Sequence, residues 1–417
     1  MRVEIGGLPC QDRQIAATVG QSPSTARARH LRPRDGSRQE TTPTELFFDL
    51  VYVFAVTQIS HLVIDADLSR ASIAQAAFIL LVVWWAWIYV TWLVNWFDPG
   101  STKVRLILAC VTLTSLLMSA AIPTAFGSEA WLFAGAYVFM QIGRNVAATA
   151  LIERDHHLRR VFERLIAWAC LSAPLWLAGA AVDESARPWL WGAALALDVI
   201  APLVGYATPG LGRSRTGDWD VEGAHFAERF QSFVIIALGE SIVITGATAS
   251  SRGLTPSSVL ALAVAFFVTG ALFWLYFGEM ARGSMRTIAE SDDPGSLARD
   301  AYTYLHLPII AGIIMVAIAD DLLVAHPSEH LTTTGVVMAT AGPAVYLLGE
   351  SMVRLRMIGR LARKRLVCVV ALVVLGLLGG DMSALGLTIC VGAVLGILAL
   401  WEAGRLRRPP VPARHPR

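Results

Sequence analysis

A few polar side chains stand alone inside long apolar stretches of this sequence, where they could carry a proton or bind a cation. Asp49 and Glu240 are the clearest acids, and Gln58, Arg144 and Ser241 could orient a solute or a counter-charge. A charge in hydrocarbon costs about 2.5–3.5 kcal/mol on insertion scales, so a chain keeps one only where it is paired or used. These five residues are therefore the leading candidates for a path taken by a small solute or cation.

Glu240 gives the strongest of these signals. It follows Glu228 by twelve residues, which places it about 18 Å further along one helix and well inside an apolar stretch. Gly239 before it would let a neighbouring backbone approach, and Ser241 follows it. A transport role would use the carboxyl group as a proton or cation site. The structural alternative is a protonated acid that is hydrogen-bonded to a neighbouring helix.

Asp49 has two explanations that the sequence leaves open. It lies one turn beyond Glu45, whose own position is explained by Thr42-Pro43-Thr44-Glu45, a capping box with proline at the first helical position. No capping rule covers Asp49, so we expect it to face protein and to be neutralised by Arg144. The pair would either lock helices together or form part of the path.

A weaker group of polar residues completes the candidates. His306 and Glu350 fall near predicted helix ends, where water at the membrane surface would solvate them. Glu350 also has Arg354 one turn away for a local ion pair. The whole group is Glu45, His61, Asp198, Glu228, His306 and Glu350.

The composition indicates that a membrane surrounds these residues. Of 417 residues, 55% are hydrophobic and 16% charged, and the mean hydropathy is +0.55, whereas soluble domains carry about a quarter charged residues. A helix needs roughly 20 apolar residues to cross a bilayer, so we predict an all-α polytopic membrane protein with about twelve transmembrane helices. Strands are a poor alternative, because the apolar runs do not alternate in polarity. The runs lie near 45–64, 72–97, 103–122, 130–151, 163–182, 189–207, 226–248, 257–280, 302–324, 332–353, 365–380 and 383–402.

Arginine and lysine set the expected orientation. They cluster in both tails and in alternate loops, which the positive-inside rule assigns to the cytoplasm of an inner (plasma) membrane protein. Asp183 and Pro327 are then expected in external loops. The predicted divisions are a disordered basic tail over 1–42, a first six-helix half over 43–210, a cytoplasmic linker over 211–225, a second six-helix half over 226–403 and a basic tail over 404–417.

The two halves resemble each other in sequence. Glu45-Leu-Phe-Phe-Asp-Leu-Val aligns with Glu228-Arg-Phe-Gln-Ser-Phe-Val, 183 residues later, and Arg164-Leu165 aligns with Arg365-Leu366. Six helices per half is an even number, so we predict two parallel six-helix repeats about an axis along the membrane normal. In this register Glu240 corresponds to Thr57-Gln58, and these positions should face each other across the interface of the halves.

Two segments resemble the signatures of a known family. Pro43-Thr-Glu-Leu-Phe-Phe-Asp-Leu-Val-Tyr-Val-Phe-Ala-Val-Thr-Gln resembles the opening signature of the bacterial low temperature requirement protein A family. Glu228-Arg-Phe-Gln-Ser-Phe-Val-Ile-Ile-Ala-Leu-Gly-Glu-Ser-Ile is similar to its second signature. The resemblance extends over residues 43–401 and implies a multi-pass bacterial membrane protein. It implies no agreed substrate or reaction, because the family is named for a growth phenotype in the cold.

Other functional classes find no support in the sequence. It contains no P-loop, G-x-S-x-G or H-E-x-x-H motif, and its five cysteines lie far apart, so we expect no cofactor and no metal site. The expected partners are the lipid bilayer and a small solute or cation, with no nucleic acid. Three hypotheses remain open: a secondary transporter or ion-permeation protein with its path between the halves, an intramembrane enzyme acting on a lipid or isoprenoid-like substrate, and a non-transporting scaffold.

Overall fold

The computed structural model describes residues 30–34, 39–154 and 156–406. Helices make up most of this part of the chain, and no strand occurs among the residues described. The predicted all-helical fold is confirmed. Most of the two predicted tails, residues 1–29, 35–38 and 407–417, lies outside the described residues.

Six helices form the first half of the chain. α1 begins at the predicted capping box: the Glu45 N–H donates to the Thr42 hydroxyl at 3.4 Å, and the Thr42 N–H donates to the Glu45 carboxylate at 2.6 Å. Pro43 occupies the first helical position, where its missing N–H costs no hydrogen bond. The helices are α1 Pro43–Ile64, α2 Arg70–Trp96, α3 Thr102–Ala120, α4 Ala130–Leu151, α5 His157–Ala181 and α6 Arg187–Ile200.

The second half is more irregular than the first. Two π-helical segments, Tyr276–Met280 and Ala298–Tyr304, lie within its helical stretches, and such segments re-aim the side chains that follow them. The helices are α7 Gly223–Arg252, α8 Pro256–Leu275, α9 Ala281–Ala289, α10 Pro294–Leu297, α11 Leu307–Ala325, α12 Thr333–Ile358, α13 Arg363–Leu378 and α14 Ala384–Leu406.

Nine helical stretches in the described part of the chain are long and apolar enough to cross a membrane. Each of the twelve predicted apolar runs overlaps a helix, but three helices fall short of that standard. α6 has 14 residues and α13 has 16, while the polar residues of α4 lower its hydropathy. The structure therefore supports a polytopic helical fold, and the count of twelve spans stays a prediction.

Helices of the two halves keep corresponding neighbours. In the first half α1 packs on α2 and α3, and α3, α4, α5 and α6 pack in sequence. In the second half α7 packs on α8 and α11, and α11, α12, α13 and α14 pack in sequence. The halves meet where α1 packs on α7. Residues further along α1 contact residues further along α7. α1 and α7 therefore run in the same direction.

An aromatic layer fills much of the interface between the halves. Trp87 of α2 lies 4.3 Å from Phe233 and 4.9 Å from Phe230 of α7, measured between ring centroids. The Trp84 indole donates a 2.8 Å hydrogen bond to the carbonyl of Thr303 in the second π-helical segment. These rings exclude water from the interface and hold the polar residues described below at fixed positions.

A short stretch before α1 packs across the end of α2. The Arg32 N–H donates to the Trp96 carbonyl and the Asp98 N–H donates to the His30 carbonyl, both at 2.9 Å. The composition predicts a disordered tail over residues 1–42, but residues 30–34 are ordered. The physical reason is that their backbone groups find partners at the end of α2 and the buried Arg32 side chain finds them in α1.

Candidate functional site

Two acids of α1 face two bases of α7 near the start of both helices. His225 Nε2 lies 2.8 Å from Glu45 Oε1, and Arg229 donates to both oxygens of Asp49 at 2.6 and 2.7 Å. The acids are four residues apart on α1 and the bases four apart on α7, so each pair sits one turn from the next on facing helix surfaces. We call Glu45, Asp49, His225 and Arg229 the charge ladder. All four side chains are buried.

Further donors complete the charge ladder. Arg32 donates to Glu45 at 3.1 and 3.2 Å, and the Trp87 indole donates to Asp49 at 2.8 Å. Burial lowers the pKa of the Arg32 guanidinium, and the Glu45 carboxylate beside it acts in the opposite direction. Each ladder carboxylate therefore has a guanidinium and at least one other donor, which is the condition under which a buried charge is tolerated.

The partner of Asp49 differs from the predicted one. Arg229 binds Asp49, whereas Arg144 contacts other residues of the first half. The prediction was wrong because it matched depth along the helices without knowing that α1 packs on α7. The sequence did hold a usable signal, since His225 and Arg229 repeat the four-residue spacing of Glu45 and Asp49.

Glu240 meets Thr57 further along the same interface. The Thr57 hydroxyl donates to Glu240 Oε1 at 2.6 Å, and the Glu240 residue is 1% exposed. Thr57 and Glu240 are 183 residues apart, so they are the two positions that the sequence repeat aligns. The structure brings them into direct contact.

The surroundings of Glu240 differ from those of the charge ladder. No basic side chain forms an ion pair with Glu240 among the described residues. Two buried hydroxyls within a turn of the Thr57–Glu240 contact, Ser60 on α1 and Ser241 on α7, also lack a hydrogen-bond partner in that part of the chain. Buried polar groups without protein partners commonly bind water or an ion. Ser241 was a sequence candidate, and Ser60 was missed.

Two other candidates on α1 lie near this contact in the sequence. Gln58 is half-buried, and its side chain makes no hydrogen bond to the residues that the structure describes. His61 is exposed one turn beyond Thr57, with its Nδ1 4.0 Å from Asp65 Oδ1. Both stand on the helix that carries Thr57, and neither belongs to the charge ladder.

A separate polar chain joins two candidates inside the first half. Arg144 donates to Gln141 at 2.8 Å, Gln141 donates to the Tyr137 hydroxyl at 3.0 Å, and Tyr137 donates to Asp198 Oδ2 at 3.0 Å. The Trp176 indole donates to the same Asp198 oxygen at 3.1 Å. This chain ties α4 to α6, and none of its hydrogen bonds involves Glu240.

Arg144 ends this chain as a buried cation. Its guanidinium carbon lies 5.0 Å from the centre of the Tyr89 ring, a distance at which the ring face attracts a cation. Its Nη1 has no hydrogen-bond partner in the described part of the chain. Neutral groups and an aromatic face thus stabilise Arg144 where we expected a carboxylate.

Glu350 is buried, and the expectation that water solvates it is wrong. Arg365 Nη1 donates to Glu350 Oε2 at 2.5 Å and Nη2 donates to Glu402 at 3.0 Å. The packing of α12 against α13 covers the helix end that hydropathy alone would leave at the membrane surface. Arg365 thus forms a buried ion pair with Glu350.

His306 is also buried, in contrast to the prediction. Its Nδ1 lies 2.8 Å from the Ala301 carbonyl, and its Nε2 lies 3.0 Å from the Tyr276 hydroxyl. The two π-helical segments supply both partners, which is why hydropathy could not anticipate this site.

Glu228, another of the weaker candidates, is half-buried near the start of α7.

Two buried acids inside the predicted apolar run 302–324 were missed as candidates. Asp320 and Asp321 lie within α11, where Thr269 donates to Asp320 at 3.5 Å and the Thr248 hydroxyl donates to Asp321. Like Glu240, they are bound by neutral hydroxyls. Within the described residues, no group of three His, Cys, Asp or Glu side chains is arranged to hold a metal ion.

Comparisons with known proteins identify the family. A family model for the bacterial low temperature requirement A protein matches residues 40–400. An uncharacterized protein of Rhizobium meliloti (strain 1021) is 34% identical over 320 residues, which are 76% of this chain and 78% of that protein. No solved structure matches the chain. The resemblance of the two sequence signatures is confirmed, and this multi-pass membrane protein belongs to the bacterial low temperature requirement A protein family.

Proposed function

We propose that this protein is a secondary transporter or ion-permeation protein, in which a proton or small cation passes between the two halves. The observation that carries the proposal is Glu240, an acid 1% exposed between α1 and α7 that is bound by the neutral hydroxyl of Thr57. Glu240 forms no ion pair with the residues that the structure describes, so it can exchange a proton or receive a cation without breaking one first.

The proposed architecture has twelve membrane helices in two parallel halves, with both termini in the cytoplasm. The corresponding helix neighbours and the common direction of α1 and α7 support it. A residue touches its repeat-related counterpart only near the axis that relates the halves, which supports an axis close to the Thr57–Glu240 contact. Transporters built from repeats commonly bind their substrates at such an interface.

Each candidate then has a proposed role. Glu240 accepts the proton or cation, while Thr57, Gln58 and Ser241 orient it. The bidentate Asp49–Arg229 pair favours a locking role for Asp49 over a pathway role, because removing either charge leaves the other buried. The scaffold hypothesis therefore describes the charge ladder better than it describes Glu240.

Flux measurements on reconstituted protein test this proposal. Proteoliposomes with an internal pH dye should acidify under an imposed proton gradient, or exchange protons for Na⁺ or K⁺, faster than empty liposomes. Glu240→Gln keeps the shape and hydrogen bonding of the side chain but removes its titratable proton, so we expect at least a tenfold loss of flux with a normal yield of folded protein. Tenfold corresponds to about 1.4 kcal/mol.

Glu184→Gln is the matched control, because it removes an exposed carboxylate from a loop. Its flux should equal that of the unaltered protein. If the Glu240→Gln variant has the same flux as the unaltered protein, Glu240 is not part of the path. If the unaltered protein moves none of the three ions, ion transport by the chain itself is refuted.

A further inference from the structure

A polar stripe follows one face of α1 from the Thr57–Glu240 contact to the end of the helix. Thr57, His61 and Asp65 are each four residues apart, so their side chains lie one above another, about 6 Å from turn to turn. α1 ends at Ile64, and Asp65 is the residue that caps it. The polar stripe therefore leads from a buried acid to the surface at the end of α1.

Exposure rises along the polar stripe. Glu240 is 1% exposed, whereas the side chains of His61 and Asp65 are 47% and 77% exposed. His61 Nδ1 lies 4.0 Å from Asp65 Oδ1, and the imidazole makes no hydrogen bond to the residues that the structure describes. The ring of His61 can therefore exchange protons with the surroundings at this end of the helix.

A charge on His61 also reaches Glu240. The two side chains are close enough for a protonated imidazole to act on the carboxyl group. No hydrogen bond joins them directly, so a proton would need a bridging water. The buried hydroxyls of Ser60 and Ser241, which have no partner in the described part of the chain, could bind such a water. Series of acid and histidine side chains carry protons in many membrane pumps and transporters.

The hydrogen bonding of Thr57 fits the gain and loss of a proton by Glu240. The Thr57 hydroxyl oxygen lies 2.6 Å from Glu240 Oε1 and 3.1 Å from the Val53 carbonyl oxygen. A hydroxyl has one proton to donate, so two acceptors must share it while Glu240 is ionised. A protonated Glu240 can donate its own proton to the Thr57 oxygen, and the Thr57 proton is then left for Val53. The same contact thus serves both protonation states without a change of partners.

The elements packed on α1 bring few other charged groups to this end of the helix. They are α2, α3, α7, α11 and the 3₁₀ turn Ile122–Thr124. Arg70 is the charged residue at the start of α2, while α3 carries charges only at its own start and the turn has none. On α11, Asp320 and Asp321 accept hydrogen bonds from threonines of α8 and α7. A pH response of His61 must therefore be separated from these two acids, which a His61 variant does.

We propose that the ion handled by Glu240 is a proton, and that His61 relays it between Glu240 and the surroundings at the end of α1. This inference rests on the proposed transport function and adds the ion and its route. A protonated His61 gives its proton to a bridging water, which passes a proton to the Glu240 carboxylate. The neutral imidazole then takes another proton from outside. A Na⁺ or K⁺ ion would be repelled by the same protonated ring.

The flux assay with the internal pH dye tests this relay. Initial rates of internal pH change are measured under whichever gradient drives flux in the unaltered protein. The rate should change between about pH 5 and pH 8, where histidine side chains change charge. His61→Gln keeps a polar side chain but removes this titration, so we expect at least a tenfold lower rate and no pH step. His330→Gln removes an exposed histidine from the loop before α12, so it should keep both the rate and the step.

The outcomes separate this inference from the proposed function. Flux of Na⁺ or K⁺ without protons refutes the proton and leaves transport standing. If Glu240→Gln loses flux but His61→Gln does not, the relay is refuted and Glu240 stays in the path. A lower rate with the pH step intact means that His61 has only a structural role, which also overturns the relay. If the unaltered protein moves no ion, both proposals fall together. Because His61 is exposed, His61→Gln and a second variant, His61→Ala, should fold normally, which thermal unfolding checks.

Discussion

At the scale of single residues, the buried acids divide according to what binds them. Glu45, Asp49 and Glu350 contact arginine or histidine side chains. Glu240 and Asp320 contact threonine hydroxyls. An ion pair in a dry interior holds its charge state, because protonating the acid would leave its partner unpaired. The acids bound by hydroxyls have no such constraint, so they are the better candidates for proton exchange.

The Asp49–Arg229 pair gives a stability prediction at this scale. Asp49→Asn leaves the buried Arg229 without a carboxylate, and breaking such a pair costs about 3–5 kcal/mol. We expect a large fall in the midpoint of thermal unfolding of the purified protein. Replacing both partners, Asp49→Leu with Arg229→Met, removes both charges and should recover much of the loss.

Asp65→Asn is the control for this measurement. Asp65 lies at the exposed end of α1, with its side chain 77% exposed, so its loss should change stability by about 0–1 kcal/mol. A midpoint for Asp49→Asn as high as that of Asp65→Asn would show that the ion pair contributes no net stability.

At the scale of helices, α11 and α12 approach each other closely at Gly312 and Gly342. A Cβ atom added at Gly312 would lie 2.6 Å from the Tyr346 nitrogen and 2.7 Å from the Gly342 oxygen. These are backbone atoms, which cannot swing aside as a side chain can. Membrane helices associate largely through such close packing at small residues.

Gly312→Ala should therefore destabilise the protein by about 1–3 kcal/mol, the usual cost of overpacking. Unfolding in denaturing detergent, followed by circular dichroism, would measure the loss. Gly270→Ala on α8 is matched to it, because no heavy atom lies within 4 Å of the added carbon. If both alanine variants unfold alike, α11 and α12 are not held by this contact.

Hydropathy locates helices well but does not reveal which helices touch. Every predicted apolar run overlaps a helix, and the Thr42–Glu45 cap follows from local chemistry alone. Hydropathy could not predict the partners of Asp49 and His306, because Arg229 and Tyr276 belong to other elements of the chain. Arg365 follows Glu350 by only fifteen residues, but hydropathy does not show that α13 packs against α12. The meeting of Thr57 and Glu240 could be anticipated from the predicted repeat, because an alignment of the two halves carries information about pairs of helices that hydropathy lacks.

At the scale of the whole molecule, the predicted orientation can be tested by labelling. In a variant with the five native cysteines replaced by serine, Asp183→Cys and Ser328→Cys should react with a membrane-impermeant maleimide in intact cells. Arg360→Cys should react only after lysis. All three positions are exposed.

Each site serves as a control for the others in that experiment. Denatured protein should be labelled fully at all three positions, which gives the maximum extent of labelling for each variant. Labelling of Arg360→Cys in intact cells, with Asp183→Cys protected, would reverse the orientation. If Asp183→Cys and Arg360→Cys react in intact cells but Ser328→Cys does not, the predicted count of spans is wrong in the second half.

The charge ladder also determines where the halves can part. It joins α1 to α7 through a bidentate ion pair and a histidine contact near the start of both helices. About 12 Å further along α1, at 1.5 Å per residue, a single hydrogen bond joins Thr57 to Glu240. The interface of α1 and α7 is therefore held by more polar contacts at the ladder than at Glu240. If the proposed transport requires the halves to separate, we expect the ladder to act as the hinge and the opening to form at the far end, beyond Glu240.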